Sequence, residues 1–318
     1  MINKNTNGET QSNNENEPIQ DDLFTCEIAN WPVKDDLASM EIPLFSLTKG
    51  KDTEIRQFKR GSLTVRVIPS GVGAATVFDK DLLIFAMSQI IAAKNQGLPI
   101  SKTVKIDSYE FLKGTDRGDG RNSFESILGM LRRLRGTTIE TNIPTGNVIQ
   151  TDGFSLIEPY KILSEKKRKD PKTGEDISRV LSFTLTFSDW LWNGMMNFEV
   201  LTLNKGYFNL PKPIERRLYE IARKHCGDKP YWKINIDLLA EKVGTTRPRY
   251  KFRDDLREVI KSDLLPDYRV ALDTNKSPDD VVFYTKDSAK LARALINSNH
   301  DAISWFESLL KKDARGLM

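Results

Sequence analysis

From Leu37 onward the hydrophobic positions recur in blocks whose period switches between two and about 3.6, and each switch marks an element boundary. "RQFKRGSLTVRVIPS" (56–70) predicts one or two strands about a glycine turn, and "FDKDLLIFAMSQIIAAKNQG" (78–97) an apolar helix closed by Gly97. "TVKIDSYEFLKG" (103–114) predicts a short strand running into a short helix, with Asp107 or Ser108 as N-cap. After a Gly/Asp turn, "RNSFESILGMLRRLRG" (121–136) is an amphipathic helix. "TTIETNI", "GFSLIEPYKIL" and "RVLSFTLTFSDWL" are strand-type runs, the last two joined by the charged turn "SEKKRKDPKTGED". Ahead of all this, "MINKNTNGETQSNNENEPIQ" is rich in Asn and Glu with almost no core formers, which predicts a disordered tail.

The second half repeats the order. "LPKPIERRLYEIARKHCG" (210–227) predicts a helix with proline in its first turn, ended by Gly227. "YWKINIDLLAEKVG" (231–244) is a strand and a short helix, and "TTRPRYKFRDDLREVIKSD" (245–263) a tight turn and a longer helix. "DYRVALD" and "VVFYT" flank a turn-rich tip, "TNKSPDD", and "SAKLARALINS" and "HDAISWFESLLKK" predict terminal helices. The two halves keep register. Lys105-Ile106 and Lys233-Ile234 stand at an offset of 233 − 105 = 128, as do Arg121 and Arg249, Phe124 and Phe252, and Leu128 and Leu256. The preceding helices match at 130, pairing Ile84 with Ile214, Ile91 with Ile221, Ala92 with Ala222 and Lys94 with Lys224. One unit copied twice accounts for this spacing.

Three helices with a helix-turn-helix core, closed by a β-hairpin, describe a winged helix. The fold expected is therefore α+β: two tandem winged-helix domains behind the tail. The boundaries expected are a tail at 1–36, a first domain at 37–203, a second at 204–287 and a helical segment at 288–318. In the second copy the helix from Arg249 turns Phe252, Leu256, Val259 and Ile260 toward its domain. Thr246, Arg247, Arg249, Tyr250, Lys251, Arg253 and Arg257 then crowd its N-terminal turn and outer face, together with Lys261 and Asp254. Arginine can grip guanine bidentately or a phosphate, and Asp254 could accept from a cytosine amine. Such a face is more than solvation requires, although winged helices also serve as protein-contact modules. The first copy presents Asn122, Ser123, Ser126, Gly129 and Arg133, with Arg121 and Arg132 nearer the rim. That surface suits base edges or a second copy of the chain equally. Lys166-Lys167-Arg168-Lys169 sits at a hairpin tip, where it is either a phosphate contact or a solvated turn.

Charge adds to this picture. The formal net charge is +4, but residues 1–36 hold eight acidic side chains against Lys4 and Lys34, which is −6 and leaves +10 on the remaining residues. A body this basic suits a polyanionic partner. Two cysteines, Cys26 and Cys226, support neither a disulfide framework nor a zinc site, so a reducing cytoplasmic setting is expected. No apolar run approaches ~18 residues, the length of a membrane span. The only histidines, His225 and His300, cannot form the His-x-His pair of a metal-dependent nickase, and no G-x-x-x-x-G-K-[ST] loop is present. His225 ends a helix, where a cation caps the dipole. No catalytic, cofactor or metal site is expected.

Several stretches resemble the plasmid replication initiators that bind iterons, in particular the replication initiator protein A subgroup. They are "MEIPLFSL" (40–47), "FDKDLLIFAMSQI" (78–90), "RRLRGTTIETNI" (132–143), "SDWLWNGM" (188–195) and "YFNLPKPIERRLYEIARKHCG" (207–227). The resemblance spans roughly 37–290. It implies a non-enzymatic protein that binds directly repeated origin sites as a monomer and an inverted repeat at its own promoter as a homodimer. It further implies recruitment of the host's initiator ATPase and replicative helicase. DNA contact would then fall on Arg249, Lys251 and Arg253, and on Arg121, Asn122 and Ser126. A winged-helix transcriptional regulator and a metal-dependent nicking or priming enzyme are the competing readings.

Overall fold

The computed structural model describes residues 32–60, 63–118, 120–145, 148–165, 168–169, 174, 176–177, 180–197, 200–275, 277–297 and 304–309. Strand β1 (Val33–Asp36) runs directly into helix α1 (Leu37–Glu41), and a loop leads to the hairpin β2 (Arg56–Arg60) and β3 (Leu63–Ile68). A first unit follows: helix α2 (Lys80–Asn95), strand β4 (Thr103–Asp107), helices α3 (Ser108–Gly114) and α4 (Arg121–Gly136), and strands β5 (Thr138–Thr145), β6 (Val148–Ser155) and β7 (Ile157–Ser164). The short pair β8 (Arg168–Lys169) and β9 (Asp176–Ile177) precedes β10 (Val180–Phe187). Helix α5 (Asp189–Met196), strand β11 (Val200–Leu203) and a 3-10 turn at Lys205–Asn209 connect to the second unit. That unit is α6 (Pro213–His225), β12 (Tyr231–Asn235), α7 (Ile236–Val243), α8 (Arg249–Ser262), β13 (Tyr268–Asp273) and β14 (Asp280–Thr285). Helix α9 (Ser288–Ile296) and a helical stretch at 304–309 come last.

The offset read in the sequence is kept in three dimensions. β4, α3 and α4 begin at 103, 108 and 121, and β12, α7 and α8 begin at 231, 236 and 249, each 128 residues on. The two short helices are capped at matched positions: Asp107 accepts from the Glu110 amide, and Asn235 from that of Asp237. Sheet topology matches as well. β4-β10-β7 and β12-β14-β13 are both antiparallel, with Ile106 opposite Phe183 in one and Ile234 opposite Val281 in the other. The first unit differs by an inserted hairpin, β5–β6, which joins β2 and β3 in a four-stranded sheet ordered β2-β3-β5-β6. The sequence reads "GFSLIEPYKIL" as one run, but the chain breaks at fully buried Leu156, where β6 ends and β7 begins.

One continuous apolar core runs through both units, from Val33 and the α2 residues to Leu256, Val281 and Phe283. Helix α2 is buried from Lys80 to Ala93, which accounts for its largely apolar sequence from Leu82 to Ala93. Where it meets α6 the contact is ionic. Lys80, fully buried, reaches Asp35 at 2.6 Å and Glu220 at 3.1 Å, and Glu220 also takes Arg217 at 3.0 Å and the Tyr207 hydroxyl at 2.7 Å. Asp81 is gripped by Arg216 and, at 2.8 Å, by Arg117, and the Arg216 guanidinium lies over the Phe78 and Tyr207 rings. Burial works against the Lys80 charge, but the two carboxylates outweigh it and hold its pKa above the usual value. Burial lifts Asp35 well above the carboxylate range although Lys80 pulls it back. With the Lys80 ammonium shared between two carboxylates, Asp35 is the one that burial inclines toward holding a proton. Glu41 at the end of α1 ties the joint further, meeting Lys242 of α7, with Lys224 at 3.2 Å and His225 at 3.1 Å on α6.

Two expectations need correction. The tail does not extend to Asp36. Residues 33–36 pair with β11, Val33 opposite Leu203, and Asp35 and Asp36 are buried because Lys80 and Ser39 satisfy their carboxylates. Residues 1–31 lie outside the described residues. The boundary at 203/204 separates two units that share one core and do not stand apart as separate globules.

The stretch at 304–309 covers the outer face of the second sheet, with Phe306 and Leu309 buried against Ala271, Val282 and Tyr284, and Trp305 Nε1 donating to Asp273 at 2.8 Å. The matching face of the first sheet carries Lys105, Thr184 and Lys161 in one row and is solvated.

Gly244 closes α7 with φ of 78°, and a Cβ there would stand 2.5 Å from the Pro43 side chain. Gly244→Ala should therefore destabilise the fold by about 2 kcal/mol or more, from left-handed strain plus the clash. A urea midpoint equal to the parent's would show that the turn is not seated on Pro43.

Candidate nucleic-acid interface

Helix α8 leaves the left-handed Gly244 through Thr245, Thr246, Arg247 and Pro248, and proline at its N-cap presets the first turn. Phe252, Leu256 and Val259 are buried and Ile260 is half-buried, so the core face is the one the periodicity predicts. At its far end Asp263 adopts the left-handed conformation and receives Arg269 of β13 at 3.0 Å and Lys286, just beyond β14, at 3.2 Å. The β13–β14 hairpin is thus locked to the helix that precedes it.

The outer face carries Thr246, Arg247, Arg249, Tyr250, Lys251 and Arg257, all exposed, with the Tyr250 ring 61 % open and the Lys251 ammonium 5.9 Å from its centroid. Arg253 is half-buried. Each arginine has an aspartate. Arg247 donates to Asp255 at 2.6 Å, Arg249 forks onto Asp237 at 2.6 and 2.5 Å, Arg253 lies 2.8 Å from Asp279, and Arg257 donates to Asp254 at 3.0 Å. Asp254, read from the sequence as a cytosine acceptor, is occupied by Arg257 in the free protein. The Arg247, Arg249 and Arg257 pairs are open to solvent and contribute ~0–1 kcal/mol each, so a phosphate or a base edge can displace or share them at little cost, whereas Asp279 is buried beneath Arg253.

The first unit's counterpart is less cationic than the sequence suggests. On α4, Asn122 and Arg132 are exposed, Ser123, Ser126 and Gly129 are half-buried, and the Ser126 hydroxyl donates to its own helix at Ser123 O, 2.7 Å. Arg121 opens the helix, but its side chain lies outside the described residues. Arg133 does not face outward. Its Nε and Nη2 donate to Asp79 at 2.7 and 2.6 Å, because a carboxylate as buried as Asp79 requires a counter-charge. That hydrogen bond, with the Asp79 charge, holds the Arg133 pKa above its ordinary value. Lys166 and Lys167 are outside the described residues, and Lys169 on β8 is exposed. His225 stacks on Trp232 with centroids 4.6 Å apart and faces Glu41, whose carboxyl is held far below the usual range by that imidazole and by Lys242.

Sequence reasoning missed Asp237, Asp255 and Asp279. Only Asp254–Arg257 carried a signal, the helical i,i+3 spacing; the other pairs are created by the fold. Among the described residues no helix is long and apolar enough to cross a membrane.

The chain matches known proteins along most of its length. The pattern of the family described as replication initiator protein A fits residues 34–270. A protein of Wigglesworthia glossinidia brevipalpis named "Putative replication protein" is 33% identical over 273 residues, covering 85% of this chain and 95% of its own. Among solved structures, selenomethionine-derivative crystals of domains 2 and 3 of RctB superpose with a TM-score of 0.58 at 12% identity, over 78% of this chain and 98% of that one. A second crystal structure of RctB domains 2–3 gives 0.54 at 13%, over 81% and 99%. At these identities the likeness is one of fold.

Proposed function

Because the chain belongs to the replication initiator protein A family, we propose that it starts replication by gripping duplex DNA at an origin through two tandem winged helices. In this reading α8 enters the major groove, the β13–β14 hairpin is the wing beside it, and α4 with the β7–β10 hairpin repeats the arrangement in the first unit. In this reading the protein works by binding and assembly, without a catalytic step of its own. Directly repeated sites at the origin, a palindrome at its own promoter bound by a dimer, and the host's initiator ATPase and helicase are the partners proposed.

One observation carries the reading. An arginine-rich outer face stands on a helix that is set by a glycine turn, buried by Phe252, Leu256 and Val259, and bolted to a hairpin through Asp263. A structural helix has no need of exposed Arg247, Arg249, Tyr250 and Lys251 together.

Neutralising about six to ten phosphates gives a slope of log K against log salt near −5 to −9. Binding isotherms on origin DNA from ~50 to 300 mM salt measure it. A slope near −1 would reduce this face to ordinary surface and sink the proposal.

A further inference from the structure

Arg249 is held unlike the other arginines of α8 and the turn before it. Its Nε and Nη2 both donate to Asp237, at 2.6 and 2.5 Å, so the carboxylate occupies the side edge of the guanidinium. Arg247 and Arg257 each offer a single terminal nitrogen to Asp255 and Asp254, and Arg253 leans on Asp279, which is nearly buried. A guanidinium has five donors in a rigid planar fork. With the side edge engaged, the Asp237 pair leaves the end edge, Nη1 and the second Nη2 hydrogen, to point elsewhere from a side chain 54% exposed at the first residue of α8. Two parallel donors at that spacing match O6 and N7 of guanine in the major groove.

We infer that Asp237, on the first turn of α7, is the positioning residue that makes Arg249 a guanine reader. The inference rests on α8 being the recognition helix. The carboxylate acts in two ways. It fixes a long, flexible side chain before DNA arrives, so the rotamer freedom is surrendered on folding and not on binding. It also offsets the arginine's charge, which weakens its attachment to phosphates of any sequence. At the 128-residue offset Asp237 corresponds to Tyr109, so the first unit has no carboxylate at this position.

The test begins with a duplex selected from a random pool by the full chain, each base pair of which is then replaced in turn and Kd measured at one salt concentration. Arg249→Ala should erase a G·C preference at one position, a loss of roughly 5- to 150-fold, the worth of one bidentate contact. Asp237→Ala and Asp237→Asn should erase most of the same preference, leave affinity for random duplex equal or higher, and show little further loss when Arg249→Ala is added. Glu241→Ala removes an exposed carboxylate one turn further along α7 and should keep every preference, which separates positioning from net charge. If Arg249→Ala loses a preference that both Asp237 variants retain, Asp237 is only a structural partner. If Arg249→Ala loses none, the reading of the α8 start fails instead.

Discussion

Lys80→Met should cost about 3–5 kcal/mol of stability, the usual result of removing one member of a buried ion pair. The methionine fills the same volume, so the loss is electrostatic. Asp35 and Glu220 would face one another with the central cation gone, and only Arg217 would remain on the Glu220 side. The variant should also acquire a pH dependence of definite sign. Burial already lifts Asp35, and without Lys80 it rises further. A carboxyl whose folded pKa exceeds its unfolded value stabilises the fold when protonated and loses that contribution as pH climbs through the folded pKa. The deficit relative to the parent should therefore be smaller at the lower of two pH values and larger at the higher. Adding Asp35→Asn should recover part of it at the upper pH. Denaturant titrations at both pH values supply the numbers; a deficit below about 1 kcal/mol, flat with pH, would mean that water or another cation reaches the joint.

On the DNA side the largest effect expected comes from geometry. If α4 and α8 of one chain act on one face of a duplex, their sites lie about one turn apart, ~10–10.5 bp centre to centre. Inserting ~5 bp between the two protected segments of a site turns one to the far side. Affinity should then fall about 100-fold or more, toward that of a single unit. An insertion of ~10 bp restores the face but adds about 34 Å, one turn of the duplex. Two units welded by a common core cannot stretch over that, so the loss should persist. Equal footprints on all three duplexes would leave α8 as the sole reader and the first unit as a pairing surface. The inward turn of Arg133 onto Asp79 would make the contributions unequal, with Asn122 and Arg132 left as the exposed residues among those described on that α4 face.

Period and capping made the repeated frame legible. Phe252, Leu256 and Val259 recur at helical spacing, and Asp107, Gly97 and Gly227 punctuate element ends in the conventional way. What stayed hidden has a common cause: it depends on partners far apart in the chain. Asp35 and Asp36 resemble tail charge until Lys80 is placed beside them, 45 residues away for Asp35. Arg133 resembles an outward cation until Asp79, 54 residues away, is found buried beneath it. The β5–β6 hairpin was visible only as strand-type residues, since its pairing with β3 spans the whole of the first helical unit. At the candidate interface the arginines were legible from composition and position, but their aspartates were not, because three of the four pairs bridge different turns or different elements.

The constancy of the 128-residue offset, held from β4 and β12 to the start of α4 and α8 and lost at the hairpins, maps where the chain tolerates a change of length. β7 and β13 begin at 157 and 268, and β10 and β14 at 180 and 280, so the spacing there is already broken. One residue added inside α8 would rotate everything after it by about 100°, carrying Leu256 toward solvent and a charged neighbour into the core. The same residue added to the turn between β13 and β14, ahead of Asp279 and its contacts to α7 and α8, leaves both strands in register. For anyone grafting an epitope, a fluorophore site or a cleavage sequence into this chain, the hairpin turns are the places to cut, and the stretch from Tyr231 to Ser262 is one to leave at its present length.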